Sequence, residues 1–160
     1  MTDLRRYQDP LTIQRILHTA STIAIVGLSA NPLRASNFVG YYLQRHGYQV
    51  IPVNPRETEI LGEKCYPGLL DVPVHVDVVD VFRTPDAVPA IARDAVQIGA
   101  SALWCQFGVI SEEGAQIAID GGLPVVMDRC LKIEHARYLG RMHWLGFSTQ
   151  RITSVRTGLQ

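Results

Sequence analysis

Thr22–Val26 (TIAIV) is a short, β-branched, apolar run that stops at Gly27, and the residues after it are small and turn-prone. Such a run reads as a strand buried on both faces. Leu28, Ser29, Ala30, Asn31 and Pro32 form the turn, and Arg34 follows. Ser36 is then suited to cap a helix running through Phe38, Val39, Tyr42 and Leu43 to Gly47. A strand, a tight loop of small residues and a helix N-terminus aim free backbone N–H groups and the positive end of the helix dipole at one spot. That arrangement suits the phosphates of a nucleotide-type ligand.

The rest of the chain repeats the same alternation. A first helix precedes the strand, capped by Asp9 or Thr12 and carrying Leu11, Ile13, Ile16 and Leu17. Further strands are predicted over 48–53, 75–82, 102–107 and 123–127. Pro52 weakens the second of the five strands and suits a position near a strand end. The segment 57–70, with Gly62, Pro67 and Gly68, reads as a small excursion with a short helix. Pro85 and Ser111 open the next two helices, and a closing helix is expected over 130–138. Alternation of this length means βαβ units. The expected fold is α/β: one doubly wound domain over 1–160, with an N-terminal helix within 1–20 and a tail over 139–160. Its five-stranded, mainly parallel sheet is expected in the order 3-2-1-4-5, counting strands along the chain. Ligands in such sheets bind outside the carboxyl ends of the strands, here Gly27–Ser29, Val53–Arg56, Phe82–Pro85 and Gln106–Gly108.

Composition narrows the partners. Lys plus Arg balance Asp plus Glu at 15 each, so no global field recruits nucleic acid or a membrane. The 47% hydrophobic and 19% charged content suits a packed globular chain. Arg129, Lys132, Arg137, Arg141, Arg151 and Arg156 make the C-terminal end basic, with Glu134 opposing. Cys65, Cys105 and Cys130 are scattered without a C-x-x-C pair, which predicts reduced, unpaired thiols and a cytoplasmic setting. The N-terminus lacks an apolar signal-like segment. No H-x-x-x-H pair stands among the histidines, so no metal site is expected.

The turn also limits which nucleotide fits. A dinucleotide fingerprint needs G-x-G-x-x-G, and Gly27-Leu28-Ser29-Ala30-Asn31-Pro32 supplies the first glycine alone. NAD would want an acid after the second strand, where this chain has Val53-Asn54-Pro55-Arg56. An arginine there suits a phosphate on the ribose, because its planar fork pairs with phosphate oxygens. NADP and coenzyme A both carry one, and the missing glycines favour coenzyme A.

Five stretches carry a resemblance: VGLSANPLRASNFV (Val26–Val39), VIPVNPRETEILGEKCYPGLLDVP (Val50–Pro73), VDVVDVFRTPDAVP (Val76–Pro89), ALWCQFGVISEEGAQIA (Ala102–Ala118) and VVMDRCLKIEHAR (Val125–Arg137). In these the chain resembles the small stand-alone CoA-binding proteins and the CoA-binding domain of the succinyl-CoA synthetase α subunit. The resemblance implies a Rossmann-like fold with CoA across the strand ends. It puts Gly27, Leu28, Ser29, Ala30, Asn31, Arg34 and Ser36 by the diphosphate. Val53, Asn54, Pro55 and Arg56 would lie near the adenosine 3′-phosphate, Phe82, Arg83 and Thr84 beside the nucleotide, and Gln106 and Phe107 along the pantetheine. The synthetase subunit carries its phosphorylated histidine in a second domain that these residues do not contain, so ligase activity is not expected to come with the fold. A homodimer or an unidentified protein partner is expected, on the same family grounds and because closed two-fold oligomers are common.

Local chemistry is sparse. Cys130 stands where a helix N-terminus would lower its pKa, but His135 lies about 140° round that helix. Asp128, Arg129, Lys132, Glu134 and His135 read instead as a hydrogen-bonded corner that fixes the fifth strand to its helix. The sequence therefore points to a protein that holds CoA or acyl-CoA without complete catalytic machinery of its own. The alternatives are an NADP-dependent oxidoreductase and an acyl-CoA ligase subunit that needs a partner chain.

Overall fold

The computed structural model describes residues 2–140. The tail over 139–160 falls almost wholly outside them, as do Arg141, His143, Arg151 and Arg156. After a 3-10 turn (Leu4–Tyr7) come α1 (Pro10–Thr19), β1 (Thr22–Val26), α2 (Ala35–Arg45) and β2 (Gln49–Val53). A small hairpin of β3 (Glu59–Ile60) and β4 (Glu63–Lys64) follows, then β5 (Val78–Val81), α3 (Val88–Gln97) and β6 (Ala102–Cys105). The described chain ends with α4 (Glu112–Asp120), β7 (Val125–Val126), α5 (Leu131–His135) and a π-turn over Ala136–Gly140.

Local signals set most boundaries. Asp9 caps α1 by accepting the Thr12 N–H at 3.1 Å, and Ser111 caps α4 through the Gly114 N–H at 3.0 Å. Ser36 does not cap α2. Arg34 holds that position without a side-chain cap bond, so Ser36 lies inside the first turn. The β3–β4 hairpin replaces part of the excursion, and a 3-10 turn over Leu69–Asp71 stands for its short helix. Leu61 (φ 54°) and Gly62 (φ 77°) supply the paired positive φ angles that a two-residue hairpin turn requires.

The large sheet is parallel and five-stranded, in the order β2-β1-β5-β6-β7. The doubly wound α/β class is as expected, but the order 3-2-1-4-5 is not. Counted over the same five strands, it is 2-1-3-4-5. The cause lies on the outer edge of β2. Tyr66 bridges Val53, donates to the Pro52 carbonyl at 3.0 Å and accepts the Asn54 N–H at 2.9 Å. That edge is occupied by the chain's own return, so β5 is delivered to the far side of β1. Pro52, which has no N–H to give, sits on this same strand.

Strand residues alternate between two apolar layers. Ile23, Ile25, Val50, Val78 and Trp104 pack with α1, α2 and α5, whereas Ala24, Val26, Val79, Val81 and Leu103 pack with α3 and α4. No helix among the described residues is long and apolar enough to cross a membrane.

Candidate functional site

With this order, the chain reverses its direction of winding between β1 and β5. The crevice of a doubly wound sheet opens at that point, outside the strand carboxyl ends. It is therefore flanked by the Gly27–Ser29 turn and by Phe82–Thr84, which the expected order put at the sheet's far edge. Gly27 (φ 92°) makes the approach possible: a Cβ there would stand 2.3 Å from the Phe82 carbonyl oxygen. The ends of β2, β1, β5 and β6 line up across roughly 14 Å at normal strand spacing.

The turn is held by side chains bonding to backbone. Ser36 Oγ accepts the Ser29 N–H at 2.9 Å, and Asn37 Nδ2 donates to the Ser29 carbonyl at 2.9 Å. Ser29 Oγ accepts the Asn31 N–H at 3.0 Å, and Asn31 Oδ1 accepts the Leu33 N–H at 2.9 Å. Asn54 closes the next strand end by donating from Nδ2 to the Leu28 carbonyl (3.0 Å) and accepting the Arg56 N–H (2.8 Å). Several loop donors are thereby used up. The N–H groups of Ala30 in the loop and of Ala35 and Ser36, which begin the helix, carry no hydrogen bond among the described residues. Asn37, buried at 8% exposure, was not singled out from sequence, although a Ser-Asn pair in a helix's first turn is a usable signal.

Three arginines stand at the strand ends around the turn. Arg34, Arg56 and Arg83 are exposed, and none has a carboxylate within ion-pair distance among the described residues. Pro55 and Thr84 are exposed beside them, and Thr84 bonds Asp86. Phe107 is 57% exposed at the end of β6, whereas Gln106 is 3% exposed and donates from Nε2 to Asp80 Oδ1 at 2.7 Å. Leu28 and Val53 are buried supports, and the Val53 carbonyl accepts the Gly27 N–H at 2.9 Å. The predicted residues of the first three strand ends thus converge on the crevice, and Gln106 and Phe107 extend it.

Asp80 is fully buried on β5, level with Ile25 of β1 and Trp104 of β6. Its Oδ2 has no partner among the described residues, and burial pushes its pKa up to about 7 against the lowering effect of the Gln106 bond. The signal in the sequence is an acid inside an otherwise apolar strand.

The far corner does not make a nucleophile–base pair. Burial raises the Cys130 thiol, outweighing the Ile133 and Lys132 N–H groups that favour its thiolate, so the helix N-terminus does not win here. His135 binds Tyr42 Oη through Nδ1 at 2.9 Å, and burial and then His46 and His18 lower its pKa to about 4. Asp128 Oδ1 accepts the Gly108 N–H at 2.7 Å, and the Arg129 carbonyl accepts Trp104 Nε1 at 2.8 Å. The corner thus fixes the end of β6 rather than β7. Cys65, Cys105 and Cys130 are free and buried. A groove of about 370 Å³ lies at the opposite, amino end of the sheet, by Arg15, Thr19, Asp77 and Ser101. Asp77 is spent there on the Ser21 and Thr22 N–H groups (2.8 and 3.0 Å).

Comparison with known proteins agrees with this fold. YneT of Bacillus subtilis (strain 168) is 39% identical over 124 residues, which are 78% of this chain and 92% of that protein. A solved structure of a hypothetical protein from Pyrococcus horikoshii OT3 superimposes with a TM-score of 0.83 at 39% identity, covering 88% of this chain and 99% of that one. The ADP-forming acetate–CoA ligase II of Archaeoglobus fulgidus is 28% identical over 112 residues, which span 69% of this chain but 17% of the ligase. A family model described as a CoA binding domain matches residues 21–136, and this chain belongs to that family.

Proposed function

We propose that this protein binds CoA or an acyl-CoA across the carboxyl ends of β2, β1, β5 and β6, and does not by itself complete a reaction on it. The observation that carries this reading is the set of exposed arginines, Arg34, Arg56 and Arg83, which have no ion-pair partner among the described residues, around a turn with N–H groups likewise unspent among them. Coenzyme A presents a diphosphate and a ribose 3′-phosphate, and that donor set fits both kinds of anion. The diphosphate sits over the N–H groups of Ala30, Ala35 and Ser36 beside Arg34. Arg56, held at the end of β2 by Asn54, pairs with the 3′-phosphate. Arg83 closes the crevice from the β5 side, and the pantetheine arm runs past Gln106 and Phe107. The reactive part of the ligand is its thiol or thioester, and what the chain supplies is binding and orientation.

A second reading follows from the similarity to the acetate–CoA ligases. In it the domain presents CoA to a partner chain that carries the remaining chemistry.

Calorimetry with CoA, 3′-dephospho-CoA and NADPH tests the first reading. Saturable binding of CoA, weaker binding of the dephospho form and none of NADPH are expected. Tighter binding of NADPH than of CoA overturns it.

A further inference from the structure

We propose that Asp80 and Gln106 form a proton-controlled hydrogen-bond selector at the carboxyl end of β6. With Asp80 ionised, Gln106 turns its amide oxygen outward; with Asp80 protonated, it turns its amide nitrogen outward. This deepens the reading of the strand ends as a CoA site and assigns the selector to the thiol or thioester end of the ligand.

The geometry leaves little else for the pair to do. A carboxylate only accepts, so while Asp80 is ionised Gln106 must give it Nε2, the arrangement with the 2.7 Å bond to Oδ1. Gln106 Oε1 then has no partner among the described residues, and it belongs to a side chain standing where β6 ends. Once Asp80 takes up a proton, its O–H needs an acceptor. Oδ2 has no hydrogen-bond partner among the described residues to offer one, and an orphaned buried donor is rarer in proteins than an under-satisfied carbonyl oxygen. The O–H is satisfied by donating to Gln106 Oε1, which requires the amide to turn over and send Nε2 outward.

Lys132 of α5 stands over the Tyr42 ring, and among the described residues no cation pairs with Asp80. The titratable groups that feel it are the Cys130 thiol ahead of α5 and the Cys105 thiol on the other face of β6, both raised first by burial. Other groups on the helices of that layer are engaged elsewhere or face solvent. Glu134 pairs with Arg137 at 3.5 Å, His135 binds Tyr42, and Arg15 and His18 are exposed. Burial places the transition near neutrality, at a pKa of about 7.

The selector has a ligand consequence. A thioester carbonyl only accepts hydrogen bonds, so acyl-CoA gains when Gln106 shows its nitrogen. A free thiol can donate weakly and gains when the oxygen is outward.

Two measurements test this. In the ligand-free protein, the Asp80 carboxyl carbon and the Gln106 side-chain amide are followed by NMR from pH 5 to 8.5. Both are expected to move with one midpoint near 7, and in Asp80→Asn the Gln106 signals are expected to stay still. A Gln106 amide indifferent to the Asp80 titration, or an Asp80 midpoint in the ordinary carboxylate range, overturns the selector. In the second measurement, the ratio of acetyl-CoA to CoA affinity is taken at pH 5.5 and pH 8. The shared phosphates cancel in that ratio. It is expected to favour acetyl-CoA by about two- to tenfold more at the lower pH, and to be flat in Asp80→Asn. Binding of both ligands with a flat ratio in the unmodified protein overturns the ligand consequence. Binding of neither, with the NMR titration intact, upholds the selector and removes the CoA reading instead.

Discussion

Gly27 and Phe82 touch across the switch point: a Cβ on Gly27 would lie 2.3 Å from the Phe82 carbonyl oxygen and 2.9 Å from Arg83 Cδ. Gly27 also holds φ at 92°, a region that L side chains avoid. Gly27→Ala therefore meets two costs at once, a backbone clash and a strained φ. We expect it to lose about 2–4 kcal/mol of stability. Chemical denaturation measures this, and an unchanged midpoint contradicts the close approach.

The turn itself depends on Ser36. Ser36→Ala leaves the Ser29 N–H without its acceptor at a part-buried position, a cost of about 1–3 kcal/mol. Because the same bond shapes the anion site, CoA affinity should fall with stability. Asn37→Ala should behave alike, since Asn37 holds the Ser29 carbonyl. Calorimetry on both variants checks the pairing of the two effects.

Arg56 should discriminate between ligands. A charged hydrogen bond contributes about 1.5–3 kcal/mol, so Arg56→Ala should weaken CoA binding by about tenfold to a hundredfold. The loss for 3′-dephospho-CoA should be much smaller. Equal losses would show that Arg56 does not contact that phosphate. Arg34→Ala, by contrast, should affect both ligands alike.

Two buried groups give the stability opposite slopes with pH. Asp80 is raised from 3.8 to about 7, so between those values the unfolded chain ionises while the native one keeps the proton. Stability therefore falls as pH rises through that window, by at most about 4 kcal/mol. His135 is lowered from 6.5 to about 4, so the unfolded chain binds a proton that the native one refuses. Its contribution is complete above 6.5 and is lost as pH falls toward 4, by at most about 3 kcal/mol. Asp80→Asn should leave the His135 slope alone in view, and His135→Gln the Asp80 slope. Melting curves from pH 4 to 8 on both variants measure this.

The thiols should be slow to react. Cys105 is fully buried, with its pKa pushed up to about 12 by burial and then by Asp80, and Cys65 and Cys130 are also raised by burial. Native protein at pH 8 is expected to resist a thiol reagent until denaturant is added. Rapid labelling of Cys130 in the native state would show that the start of α5 opens.

What the sequence determined by itself is the local grammar. The β-branched runs, the caps at Asp9 and Ser111 and the small-residue turn after Val26 act over a few residues, so the five strands of the large sheet and most helices are legible, whereas the β3–β4 hairpin is not. Tertiary structure alone decided the strand order, because it depends on Tyr66 occupying the outer edge of β2 and sending β5 past β1. It also decided that Ser36 serves the turn rather than caps the helix, because the choice turns on whether its hydroxyl meets Ser29. The same holds for Asp80 and Cys130, whose pKa values are set by burial under neighbouring layers, a quantity no stretch of sequence contains.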